Sequence, residues 1–205
     1  IYDGAYSEHI TNKEKKGLTG NDVSEKDAKN KIEEFVGKDN IENIQNLGFS
    51  ENAEIPVYTF NVDTKNNNNV SATISKKGGH IVYLNCDRNV SEEKISNDEA
   101  KDKGLKFLKG KGIDNMKETY YLKEEGILTV NYAYEQNGVV IYPDLIKLKI
   151  ALDNGEILGM ETSGYLNNHH KRSIPKAKIT KEQAKKNLNK NLDLRSEGMA
   201  IIPTE

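Results

Sequence analysis

Tryptophan is absent from this sequence, cysteine occurs once and proline four times. The lone Cys86 forms no internal disulfide, so the chain is not a disulfide-stapled scaffold, and cysteine usage leaves its redox compartment open. No apolar run approaches the roughly 18 residues that cross a bilayer as a helix. Neither sign of charge dominates: 30 Lys and Arg stand against 32 Asp and Glu, for a net charge of -2. The two signs are interspersed, which is a solvated surface and not the footprint of a nucleic-acid binder. With 35% apolar and 30% charged residues the chain is polar but still within the range of folded proteins. It opens on Ile1 without a signal peptide and closes on Ile201-Ile202-Pro203-Thr204-Glu205. It reads as a piece of a longer protein, with any membrane anchor or targeting signal outside it.

Catalytic patterns are missing as well. Carboxylates are abundant, but no segment singles out a pair held across a sugar site, so a glycosidase is not expected. His169-His170 has no H-E-x-x-H or Cys/His spacing around it, and adjacent histidines on a strand face opposite ways, so the pair reads as surface linker and no metal site is assigned. Cys86 has Arg88 as its one nearby basic residue and only the distant His80 as a candidate base, which fits an inert thiol. Gly110-Lys111-Gly112 follows a helix instead of opening one, so it ends that helix and cradles no phosphate. The expected set of catalytic residues, cofactors and metals is therefore empty.

What is present is a repeat. Val23-Ser24-x-x-Asp27-Ala28-Lys29 recurs as Ile95-Ser96-x-x-Glu99-Ala100-Lys101 and as Ile179-Thr180-x-x-Gln183-Ala184-Lys185, 72 and then 84 residues on. Ser24, Ser96 and Thr180 are N-caps, the acidic or amide residue three positions later completes a capping box, and the preceding Val or Ile is a hydrophobic staple. Behind each cap an apolar stripe follows at helical spacing: Ala28, Ile32, Phe35, Val36; then Ala100, Gly104, Phe107, Leu108; then Ala184, Leu188, Asn191, Leu192. Gly104 breaks the pattern at a cost of about 1 kcal/mol against alanine.

After the first two helices the period changes to two. Ile55–Val62, Val70–Ile74 and Ile81–Leu84 alternate around a polar turn at Lys65–Asn69 and a Gly78-Gly79 turn; Ile127–Tyr134, Leu145–Leu152 and Ile157–Glu161 repeat the scheme. Weaker strands precede each set near Ile41–Leu47 and Thr119–Leu122. Asp153-Asn154-Gly155-Glu156 predicts a type I′ hairpin. The fold class is α+β: tandem small modules, each one helix packed on a three- to four-stranded antiparallel sheet. Residues 1–21 form a lead-in, 22–90 and 91–168 two complete modules, and 169–205 a linker with an incomplete third that has a helix and only Met199–Ile202 of a sheet. A helix without its own strands must dock elsewhere, borrow a sheet from another copy or fray.

The two complete modules differ at one place. Tyr58, Phe60 and Val62 align with Val130, Tyr132 and Tyr134, and Ile74 and Ile81 with Ile150 and Ile157, so the second module gains four residues between these strands. Where the first has the turn Asn66–Asn69, the second has Gly138 followed by Val139, Val140, Ile141, Tyr142, Pro143 and Asp144. Apolar residues on an extended loop point to a partner-binding site or to a clasp against a neighbouring module; both readings stand at this level.

A capped [Ile/Val]-[Ser/Thr]-x-x-x-Ala-Lys helix followed by an antiparallel meander with a Gly turn resembles the PepSY domain family. Three longer strings are similar to the repeat region of the YpeB family of spore-germination proteins: Ile1-Tyr2-Asp3-Gly4-Ala5-Tyr6-Ser7-Glu8-His9, the run Ile141–Lys147 with Ala151–Ile157, and His170-Lys171-Arg172-Ser173-Ile174-Pro175. The resemblance implies a non-enzymatic spore protein, anchored in the inner spore membrane by a segment outside this chain and lying on its outer side. It implies a cortex-lytic enzyme of the SleB type as partner in breaking down cortex peptidoglycan. A propeptide-type peptidase inhibitor is the alternative, direct binding to peptidoglycan would rest on tyrosine alone, and self-association through the incomplete third repeat is a further expectation.

Overall fold

The computed structural model describes residues 14–189, 191 and 198–202. Two helices lie on one antiparallel sheet. In chain order come α1 (Glu25–Val36), a 3-10 turn (Lys38–Asn40), β1 (Ile41–Ser50), β2 (Val57–Thr64), β3 (Asn69–Ser75) and β4 (Ile81–Cys86). Then follow α2 (Asn97–Gly110), β5 (Met116–Glu124), β6 (Ile127–Gln136), β7 (Val139–Ala151), β8 (Ile157–Glu161), α3 (Ser163–Asn168), α4 (Lys181–Lys186) and β9 (Met199–Ile201).

All three capped helix starts form. Ser24 Oγ accepts from Asp27 N at 3.2 Å and the Asp27 carboxylate accepts from Ser24 N. Thr180 and Gln183 make the same reciprocal box, and Ser96 Oγ accepts from Glu99 N at 3.1 Å. The apolar stripes of α1 and α2 turn inward: Ala28, Ile32, Ala100, Gly104 and Leu108 are buried, with Phe35, Val36 and Phe107 packed at the margin. The two helices touch through equivalent positions, Phe35 and Phe107, edge to face at 5.9 Å.

The α+β antiparallel reading holds, but the two sets of strands are not separate sheets. Their order is β1-β2-β3-β4-β8-β7-β6-β5, continuous across a β4–β8 junction of three residue pairs, with β9 added to β7 in parallel. One core cluster accordingly draws Phe60, Ile74 and Leu84 from the first half and Leu128, Tyr132 and Ile150 from the second.

The turn chemistry also differs from expectation. At Asp153–Glu156 only Gly155 has positive φ, and the Asn154 side chain instead accepts from Glu156 N. Paired positive φ values occur at Glu125-Gly126 (48° and 73°) and Asn137-Gly138 (53° and 76°), the two-residue connections on either side of β6. Because Asn137-Gly138 turns so tightly, β7 starts at Val139, and the segment expected as a loop is strand.

In the third repeat, α4 buries no residue, and Ile179 and Leu188 are exposed. The Ile1–His9 string and Leu192 of the third stripe lie outside the described residues.

Candidate functional site

The six residues singled out in sequence, Val139 to Asp144, occupy the first half of β7. Ala133 of β6 pairs with Leu145 and the next residue, Tyr134, with Ile141, so residues 142–144 are extruded as a wide bulge. The bulge absorbs most of the four-residue gain. Val139 and Ile141 are buried with Tyr134, and Val140, Tyr142 and Pro143 are half-buried. Pro143 is tolerated because a bulged residue owes the ladder no N–H.

The Asp144 carboxyl is fully buried, so it needs partners. Arg172 grips it bidentately, with Nη2–Oδ1 at 2.7 Å and Nη1–Oδ2 at 2.8 Å, and His169 Nδ1 lies 2.9 Å from Oδ2. Arg172 also donates to the carbonyls of Asn168 and His170. Gln136 brackets the Arg172 backbone, donating to its carbonyl at 2.6 Å and accepting from its N–H at 3.0 Å. Asn168 Nδ2 donates to Pro143 O and Gly164 O. His169 stacks on Tyr165 at 4.2 Å and meets Tyr134 edge-on at 4.6 Å. The chain after α3 is thus clasped onto the β7 bulge. His169 is part of that clasp and not the surface linker expected from sequence.

A second feature was not visible in the sequence. A cavity of about 460 Å³ opens where the two halves meet, above β4 and β8. Its floor is apolar: Ile81, Phe107, Ile113, Met160 and Leu166. Its rim is cationic: Lys16, Lys31 and Lys111 line it, and the last two share one carboxylate, Glu34, at 3.6 and 3.9 Å. Residues 14–20, expected as a lead-in, build one wall. Leu18 is buried against Ile55, Val57 and Leu166; Lys16 N donates to Asn167 O at 3.0 Å; Thr19 O lies 2.8 Å from His80 Nε2. Gly17 is required there, since a Cβ would overlap Tyr165 O. Burial pushes the Tyr165 phenol up to about 12, so it remains a hydrogen-bond donor at neutral pH and no base. The volume and the mixed apolar and polar lining are within the range of ligand pockets.

Cys86 is half-buried and burial pushes its thiol up, in keeping with an unreactive side chain. Among the described residues no group of three or more His, Cys, Asp or Glu is placed to hold a metal ion. No helix among them is long and apolar enough to cross a membrane.

Comparison with known proteins places these features in context. A family model described as YpeB sporulation, PepSY1 and PepSY2 domains matches residues 1–175. The sporulation protein YpeB of Bacillus subtilis (strain 168) is 36% identical over 201 residues, covering 95% of this chain and 44% of that protein. The sporulation protein YpeB of Oceanobacillus iheyensis is 33% identical over 189 residues, covering 91% of this chain and 42% of its own length. The chain therefore spans less than half the length of these curated relatives. Among solved structures, the Bacillus megaterium YpeB C-terminal domain superposes with a TM-score of 0.80 at 31% identity, over 89% of this chain and 82% of that one.

Proposed function

The chain belongs to the YpeB sporulation family, and on that footing we propose that it is a non-catalytic binding module which holds and regulates a cortex-lytic enzyme of the SleB type during spore germination. In this reading it lies outside the inner spore membrane, tethered by an anchor elsewhere in the full-length protein. The observation that carries the proposal is the cavity between the halves, a preformed, cation-rimmed pocket to which α1, α2, the Gly78–His80 turn and α3 all contribute. The same reading takes residues 22–90 and 91–168 as two PepSY-like modules built on one plan, a capped helix followed by a four-strand meander, with the pocket as a product of their union. Within Val139–Asp144, partner contact falls to the half-exposed Val140, Tyr142 and Pro143, while Val139, Ile141 and Asp144 serve the clasp.

The test is the variant Lys31→Glu with Lys111→Glu, which inverts the rim with surface substitutions that cost little stability. In spores carrying it in the full-length protein, the lytic enzyme detected by immunoblot should fall while the variant itself accumulates normally. Retention of the enzyme at the unmodified level would refute the assignment. The purified chain should also release no reducing sugar from cortex peptidoglycan; turnover that disappears on substitution of one carboxylate would overturn the non-catalytic reading.

A further inference from the structure

Among the described residues the sheet ends on two edges, β1 and β5, and the second is built differently from the first. On β1 the pairing with β2 is broken twice, at Ile41/Asn43 and Asn46/Gly48, and Gly48 sits at φ 116° with its N–H tied to Asn46 Oδ1. Such irregularities blunt an edge against other chains. On β5 there is one bulge, at Thr119, and beyond it Tyr120, Tyr121 and Leu122 are 49%, 40% and 46% exposed in succession. An edge strand offers unpaired backbone N–H and C=O groups, and three consecutive exposed large side chains on it mark an interaction surface.

The charges around these three residues say what the partner is. Pairing with β6 fixes the faces. Glu118, Tyr121 and Lys123, opposite Tyr132, Val130 and Leu128, lie on the helix-covered side; Lys117, Tyr120, Leu122 and Glu124, opposite Ala133, Asn131, Thr129 and Ile127, lie on the other. We infer that β5 pairs antiparallel with β5 of a second copy of this chain about a two-fold axis at Tyr121. In that register Tyr121 meets its own counterpart, Tyr120 meets Leu122, Glu118 meets Lys123 and Lys117 meets Glu124. Every pair joins residues of the same face, as antiparallel pairing requires, and the bulge at Thr119 is what makes this so. Every charge meets its opposite, and the symmetry makes each charged pair twice. The neighbouring registers fail. Moving the axis to Tyr120 sets Glu118 against Tyr121 and Lys117 against Leu122; moving it to Leu122 sets Tyr120 against Glu124 and Tyr121 against Lys123. Opposite charges and aromatic-aliphatic pairs directly across strands stabilise pairing, so one register is selected. The existing contacts of these charges, Lys101 with Glu118 at 3.1 Å, Glu93 with Lys123 at 3.0 Å and Glu135 with Lys117 at 3.1 Å, lengthen into chains across the junction. The two sheets become one, with the seam cavities of both copies left open.

Sedimentation equilibrium of the 205-residue chain tests this. A reversible dimer is expected, abolished by Tyr121→Glu, which places two carboxylates on the axis while leaving the circular dichroism spectrum of the monomer unchanged. Lys117→Glu should raise the dissociation constant about tenfold by converting two attractive pairs into repulsive ones, and Lys117→Glu with Glu124→Lys should restore it. A chain that stays monomeric at every concentration, a dimer indifferent to Tyr121→Glu, or a charge swap that fails to restore association would each overturn the proposal, the second pointing instead to the third repeat as the contact.

Discussion

Gly104 is the residue at which the stripe argument and the packing part company. Helix propensity alone makes it a defect, with alanine better by about 1 kcal/mol. In the fold it faces Tyr132, whose hydroxyl donates to Lys101 O at 2.9 Å, and a Cβ at position 104 would overlap that hydroxyl and press on Ile150. Gly104→Ala should therefore destabilise the protein, by about 1–3 kcal/mol as for other overpacked cores, in chemical denaturation. Arg88 is a second residue whose role only the fold reveals. It reaches from the segment between the halves to the β7–β8 turn, donating hydrogen bonds to Asp153 at 2.7 and 2.9 Å and forming an ion pair with Glu156 at 3.0 Å. The bond from Arg88 holds the Asp153 carboxyl below the usual aspartate range. A carboxyl depressed on folding contributes stability that is complete above its unfolded value and is lost as pH falls through the folded one. The stability gap between the parent and Arg88→Ala, followed by urea denaturation, should thus be widest near neutrality and close as pH drops below about 4.

Elements were legible where a local rule and the tertiary structure agree. The three caps, the two buried stripes and the β1 and β5 strands all follow from chemistry within a few residues. The start of β7 reads as a loop in the sequence, from the four residues gained between aligned strands, although Asn137-Gly138 is a type I′ signal as strong as Asn154-Gly155; most of that gain is taken up by a bulge that sequence periodicity does not encode. Nor could spacing show that Asp144 and Arg172 meet, since the pair depends on the chain doubling back after α3. Breaking such a pair strands a buried charge, so Asp144→Asn should cost about 3–5 kcal/mol in denaturant unfolding, and Asp144→Asn with Arg172→Gln distinctly less than the two single changes added together. At the other extreme, α4 is capped as expected but buries none of its residues. Its amides at 181–186 should exchange with deuterium much faster than those of Ala28–Val36, and equal protection in a demonstrated monomer would show that its stripe is covered.

At the scale of the molecule, the repeat marks two units of one plan, and the packing joins them. Each half alone would be near the lower limit for a self-sufficient core. Here the halves share one: Ile32 and Leu108 are both fully buried in a single cluster, Phe35 and Phe107 meet over the seam, and β4 takes β8 as its partner on its outer side. Separating the halves would expose that strand edge and the apolar floor of the cavity together. The junction of three residue pairs is too short to account for cohesion by backbone bonding, so the shared core must supply it. The chain should consequently unfold in one step, with the calorimetric and van't Hoff enthalpies equal. Ile32→Ala, which removes core from the first half only, should cost about 2–5 kcal/mol and lower the melting of strands β2 and β7 by the same amount, read by hydrogen exchange at residues on each. Two resolved transitions, with the substitution displacing only one of them, would mean that the halves are independent and that the cavity between them can open without either unfolding.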